Sequence, residues 1–120
     1  MRRSILVVDD DEAIRAAISE ALAVAGHSAL CEATAEDALG TLDSHPDTEL
    51  AIVDVNLPGT DGFGFLERAK VLHPSLRVML MTGLPTHEVR SRAWQHGALA
   101  VMDKPVMADE LSVKIEGALA

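Results

Sequence analysis

Apolar residues along this chain fall into two alternating patterns. One is a short, nearly continuous run of β-type residues: Ser4–Val8, Leu50–Asp54, Leu76–Met81, Leu99–Asp103 and a weaker one over Ser28–Ala33. Continuous runs of that length predict strands buried on both faces, the habit of a parallel sheet. The other pattern repeats at three and four residues. It covers Ile14, Ala17, Ile18, Ala21, Leu22 and Ala25 between Asp11 and Gly26, then Ala38, Leu39 and Leu42 between a Thr34–Asp37 capping pair and Ser44. It returns with Phe65, Leu66, Ala69 and Leu72 between Asp61-Gly62 and His73-Pro74, from about Thr86 to His96 before Gly97, and with Leu111, Ile115 and Ala118 between Ala108 and Leu119. These stretches predict amphipathic helices with recognisable starts and stops.

Five strands alternating with five helices predict an α/β chain with a doubly wound, five-stranded parallel sheet and right-handed crossovers. The expected strand order is 2-1-3-4-5, which places strands 1 and 3 side by side where the winding reverses. Ligands of such sheets bind at the carboxyl ends of the strands. Four strand tails would then meet there: Asp9-Asp10, Asp54, Thr82 and Lys104.

Length and composition narrow this picture. With 120 residues the expectation is one domain over 1–120 with a single core. Two Phe, one Trp and no Tyr make that core aliphatic. A net charge of −9 argues against direct nucleic-acid binding and suits a bound cation or a basic partner. Cys31, the one cysteine, cannot form an internal disulfide and is expected to be a buried thiol. No apolar run approaches the ~18 residues of a membrane span. Arg2-Arg3 before Ile5–Val8 has the charged start of a leader, but Asp9 ends the apolar run too early, so a cytoplasmic setting is expected. No linker, repeat or output domain is marked.

The converging residues define a chemistry. Several carboxylates in one pocket stay ionised together only if they share a cation. An all-oxygen donor set points to a hard ion, and Mg²⁺ suits a shallow acidic cluster that also meets a phosphate. A hydroxyl (Thr82) and an ammonium (Lys104) on the far side would stabilise phosphoryl oxygens, and a carboxylate can itself be the nucleophile. Each residue also has a plain structural role open to it. Asp54 could cap a turn, Thr82 end a strand and Lys104 be a solvated cation; Asp11 and Glu12 read better as acidic residues at a helix N-terminus. The coincidence at four strand ends favours the chemical reading. A nucleotide cradle is excluded, because acid rather than a Gly-rich loop follows the first strand.

Four motifs carry a family resemblance: Ile5-Leu6-Val7-Val8-Asp9-Asp10, Asp54-Val55-Asn56-Leu57-Pro58-Gly59-Thr60-Asp61-Gly62, Met81-Thr82-Gly83 and Asp103-Lys104-Pro105. Together they resemble the receiver domain of a two-component response regulator, over the whole chain. The resemblance implies a flavodoxin-like fold with Asp54 as phosphoacceptor. It implies Mg²⁺ held by Asp10, Asp54 and the backbone carbonyl of Asn56, with Asp9 helping directly or through water. Thr82 and Lys104 would contact the phosphoryl group, donated by a histidine kinase or a histidine phosphotransfer protein. It also implies a cis Lys104–Pro105 bond, and a domain that assists its own phosphotransfer and dephosphorylation rather than an enzyme in the ordinary sense.

Two positions depart from the family. Val101 stands where the family usually carries Tyr or Phe, and the loop Thr82-Gly83-Leu84-Pro85 lacks the usual Ala and contains a proline. Trp94 lies five residues past Val89, at ~100° per residue off the core stripe. Either its ring covers Arg stems such as Arg90, or it belongs to a partner, output-domain or homodimer surface formed by helix 4, strand 5 and helix 5. Two other functions compete with this one. One is a receiver-like interaction module that is never phosphorylated. The other is a haloacid-dehalogenase-type phosphatase using Asp9 and Asp11, which lacks the expected Gly-Thr after that pair and leaves Asp54 unexplained.

Overall fold

A computed structural model of the chain describes residues 3–119; Arg2 of the leader-like start lies outside the described residues. Strands β1 (Ser4–Val8), β2 (Ser28–Glu32), β3 (Leu50–Asp54), β4 (Arg77–Thr82) and β5 (Ala100–Asp103) alternate with helices α1 (Glu12–Val24), α2 (Ala35–Ser44), α3 (Gly62–Leu72), α4 (His87–Gln95) and α5 (Ala108–Leu119). The strands form one sheet in the order β2-β1-β3-β4-β5, and every pair is parallel. Element order, strand order and parallel pairing all match the reading of the sequence. Boundaries move by a residue: Thr82 joins β4 because it pairs with Asp103, and β5 begins at Ala100 rather than Leu99.

Alternation along each strand divides the core in two, because successive side chains point to opposite faces. Ile5, Val7, Leu50, Ile52, Met79, Met81 and Met102 pack with Ile18 and Leu22 of α1 and Leu111, Ile115 and Ala118 of α5. Leu6, Val8, Ala51, Val53, Val78 and Leu80 pack on the other face with α2, α3 and Ala93 of α4. Nearly all of these strand residues are fully buried, each contributing about 1.5–3 kcal/mol for a large aliphatic side chain. The aliphatic core expected from the scarcity of aromatics is the one observed.

Local chemistry sets the helix starts. Asp11, Thr34, Asp61 and Thr86 are the N-caps of α1, α2, α3 and α4, each accepting a backbone N–H two or three residues on. Such a cap contributes typically ~1 kcal/mol. Asp11 therefore serves the helix, as the sequence indicated, and not the acidic cluster.

Three expectations fail on burial. Cys31 is exposed: it lies on the edge strand β2, opposite Val7, where one neighbouring strand is missing. Partial burial nonetheless raises its thiol pKa, against the pull of the nearby Arg15. Ala17 and Ala25 are exposed, since the buried line of α1 is as narrow as Ile18 and Leu22, and Ala25 is already the C-cap. Leu72 is 57% exposed. It occupies the last turn of α3, where His73 closes the helix and packing neighbours remain on one side only. Among the described residues no helix is long and apolar enough to cross a membrane.

Candidate functional site

The register puts the chemistry at the carboxyl edge of the sheet. Val8 pairs with Val53, so the next residues along, Asp9 and Asp54, emerge side by side from adjacent strands. Both are buried, at 0% and 3% exposure, while Asp10 is exposed. Each of Asp9, Asp10 and Asp54 offers a carboxylate oxygen, and these oxygens lie within 4.8 Å of one another. Lys104, just past β5, reaches across to both buried acids: its Nζ is 2.7 Å from Asp9 Oδ2 and 3.2 Å from Asp54 Oδ2. The Lys104–Pro105 bond is cis, as the resemblance implied. Thr82, 1% exposed, ends β4 beside them. Its Oγ1 accepts the Leu84 N–H at 3.0 Å, and its carbonyl accepts the Lys104 N–H at 2.8 Å.

The backbone fixes the acids closely. Asp9 donates its N–H to Glu32 O, and its Oδ1 accepts the Asp11 N–H at 2.9 Å. Asp54 Oδ1 accepts the Asn56 N–H at 3.2 Å. Gly62 opens α3 hard against this strand end. A Cβ there would lie 2.5 Å from Asp54 O and 2.8 Å from Val55 Cα, so only glycine lets the helix start so near the Asp54 backbone.

Burial raises the Asp54 pKa above the usual carboxylate value, outweighing the Asn56 N–H and the Lys104 ammonium that favour its charge; Asp9 adds repulsion. Burial pulls Lys104 down, but its contacts with Asp9 and Asp54 win and hold its pKa above the ordinary lysine value. One ammonium thus faces three carboxylates, and the excess negative charge sits partly out of water. Lys104 gives Asp9 Oδ2 a charge-assisted contact at 2.7 Å, but one ammonium cannot neutralise all three acids. Carboxylate oxygens crowded this closely in an all-oxygen donor set fit a hard divalent cation such as Mg²⁺.

Two residues here do more than the sequence marks. Gly62 reads from the sequence as a helix start within the Asp54–Gly62 motif, with no sign of its approach to the Asp54 backbone. Arg15 carries no motif signal, yet its Nη1 donates to Asp9 O at 2.7 Å. Farther out, Arg90 of α4 donates to Asp103 Oδ1 at 2.7 Å and Arg92 lies over the Phe63 ring, so neither guanidinium is spent on Trp94, which is 77% exposed. Val101 is half-buried and packs toward the face of α2, α3 and α4.

A doubly wound parallel sheet with acids, hydroxyl and ammonium gathered at its switch point defines a class of α/β domains that take up charged groups at the strand tails. The chain belongs to one family of that class: the response regulator receiver domain, whose family model matches residues 5–116. Over its full length it is 36% identical to the DNA-binding transcriptional regulator NtrC of Salmonella typhimurium, covering 26% of that protein. It is also 36% identical, over 92% of its length, to the response regulator protein FleR of Pseudomonas aeruginosa, covering 23% of it. The chain thus spans about a quarter of the length of these curated relatives. Among solved structures, a CheY-like response regulator receiver domain protein from Methanospirillum hungatei superposes with a TM-score of 0.92 at 32% identity, over 99% of this chain and 94% of that one. This is a receiver domain of the response regulator family.

Proposed function

We propose that Asp54 is the phosphoacceptor of this receiver, and that residues 1–120 act as one domain in a cytoplasmic phosphorelay. The donor is a phosphohistidine on a histidine kinase or histidine phosphotransfer protein. A carboxylate oxygen of Asp54 attacks phosphorus and forms the P–O bond of an acyl phosphate. The P–N bond breaks, and its electron pair leaves on the imidazole. Burial makes the Asp54 carboxylate more basic than usual and so a better nucleophile. Lys104, already 3.2 Å from Asp54 Oδ2, and the buried Thr82 hydroxyl supply cation and hydrogen bond to the phosphoryl oxygens.

The metal suited to the acidic cluster is Mg²⁺, held by Asp9, Asp10, Asp54 and the Asn56 carbonyl; when bound it neutralises the charge that gathers between acceptor and donor. The single observation that carries this reading is the buried Asp54 at the tail of β3, with two further carboxylates and one ammonium converging on it. For output we propose the face of α4, β5 and α5, where Trp94, Leu99, Met107 and Val113 are exposed, as the surface for an output domain, a partner or a second copy.

The test is chemical. Incubated with a small-molecule phosphodonor and Mg²⁺, the wild type gains one hydroxylamine-labile, base-labile phosphoryl group and Asp54→Asn gains none. Equal labelling of both proteins would reject Asp54 as acceptor.

A further inference from the structure

Arg15 sits where a cation is poorly placed by helix electrostatics. It lies in the first turn or so of α1, at the positive end of the macrodipole, where acids are favoured and Lys or Arg are not. Its guanidinium is not spread into solvent to escape that field. It turns back over its own helix start, and Nη1 donates to Asp9 O at 2.7 Å in a half-buried, charge-assisted hydrogen bond. That oxygen belongs to the peptide joining Asp9 to Asp10. Asp9 is held independently, through its N–H and through Oδ1. Asp10 is not: none of the described residues hydrogen-bonds its exposed carboxylate. Asp10 thus leaves the main chain between two held peptides: Asp9 Oδ1 accepts the N–H of the one after it, and Arg15 grips the carbonyl of the one before it.

We infer that Arg15 is a positioning residue of the acidic cluster: by fixing the Asp9–Asp10 peptide it aims the Asp10 carboxylate toward the neighbouring carboxylate oxygens of Asp9 and Asp54, among which a divalent cation would be held. This deepens the metal reading above and rests on it. Arg15 touches neither the phosphoryl group nor the ion, and acts only through Asp10.

The sign of one substitution separates this role from a bystander charge. Removing a cation from beside three carboxylates should, by Coulomb attraction alone, tighten binding of another cation. Loss of positioning should weaken it, and partners that orient metal ligands are typically worth at least about tenfold in metal affinity. The experiment is calorimetric titration of MgCl₂ into the metal-free chain at low and high salt, for the wild type, Arg15→Ala, Arg15→Gln, Arg15→Lys, Asp10→Ala and the Arg15→Ala/Asp10→Ala double variant. Melting in chelator accompanies it, to count the folded fraction.

The expected result is Mg²⁺ affinity about tenfold weaker in Arg15→Ala and Arg15→Gln at both salt concentrations, largely restored in Arg15→Lys. In the Asp10→Ala background, removing Arg15 should cost nothing more, because the two act as a unit. Unchanged or tighter binding in Arg15→Ala and Arg15→Gln would overturn the role, as would a full additional loss in the double variant. If Arg15→Ala does not fold, Arg15→Gln, which keeps the side-chain stem, decides. A wild type that binds no Mg²⁺ overturns the metal reading itself; a wild type that binds, beside variants that bind equally well, overturns Arg15 alone.

Discussion

The carboxyl edge of the sheet and the flank made by α4, β5 and α5 are built on opposite terms. At the edge, three buried polar side chains from three strands are each tied to backbone or to one another, and Lys104 joins two of them. On the flank, Trp94, Leu99, Met107 and Val113 stand exposed, and the cross-element tie that is seen there, Arg90 to Asp103, is a surface pair. The edge is over-determined, which pre-organises a reacting group at the cost of desolvated charge. The flank is under-determined, which leaves it able to repack or to be covered. Chemistry and readout thus occupy regions of different stiffness in the same small sheet.

The comparison is tested hardest at Lys104. Lys104→Met leaves Asp9 and Asp54 buried without a counterion, and breaking a buried pair from one side costs about 3 kcal/mol. Urea unfolding in chelator should show a loss of that order, with much of it recovered by Mg²⁺. A loss under 1 kcal/mol would mean that the edge is as lightly held as the flank.

A smaller effect is expected from pH. Because burial raises the folded-state pKa of Asp54 above its unfolded value, the folded state holds that proton more tightly than the unfolded one. Stability contributed by Asp54 is therefore greatest in acid and is lost as pH rises from the usual carboxylate value through the raised one. In chelator, Asp54→Asn should be the more stable protein at neutral pH. The gap should close as pH falls below the ordinary carboxylate range. Melting curves against pH that run parallel for the two proteins would show that Asp54 is not strained in this way.

Least is expected on the flank. Trp94→Ala should change unfolding free energy by no more than about 0.5 kcal/mol and leave phosphoryl labelling untouched, since a ring 77% exposed contributes little to the core. Chemical denaturation and the labelling assay check both. A large loss of labelling would tie the flank to the chemistry and erase the contrast.

The same division explains what could be read from the sequence. Strand tails and helix caps are local: Thr34, Asp61 and Thr86 announce their helices within three residues, and Asp9, Asp54, Thr82 and Lys104 end runs that only a parallel sheet explains. Burial at the margins is not local. Cys31 is exposed because β2 is an edge strand, and Leu72 because α3 ends beneath it; both follow from neighbours distant in sequence. Arg15 was invisible for another reason. Its partner is a main-chain oxygen six residues back, reached only when the loop after β1 has turned, and the clue was a lone cation at the acidic start of a helix. Gly62 likewise shows its necessity only when α3 is seen against the Asp54 backbone.

The central claim, that the stiff edge is a phosphoacceptor site centred on Asp54, is tested most directly by trapping. The chain is treated with beryllium fluoride and Mg²⁺, and the adduct is located in a crystal structure of the product. The account predicts beryllium bonded to an Asp54 carboxylate oxygen, with Lys104 and Thr82 against the fluorides and the cation among Asp9, Asp10 and Asp54. An adduct on Asp9, as a phosphatase of the haloacid-dehalogenase type would give, or no adduct at all, as a purely interacting module would give, contradicts it.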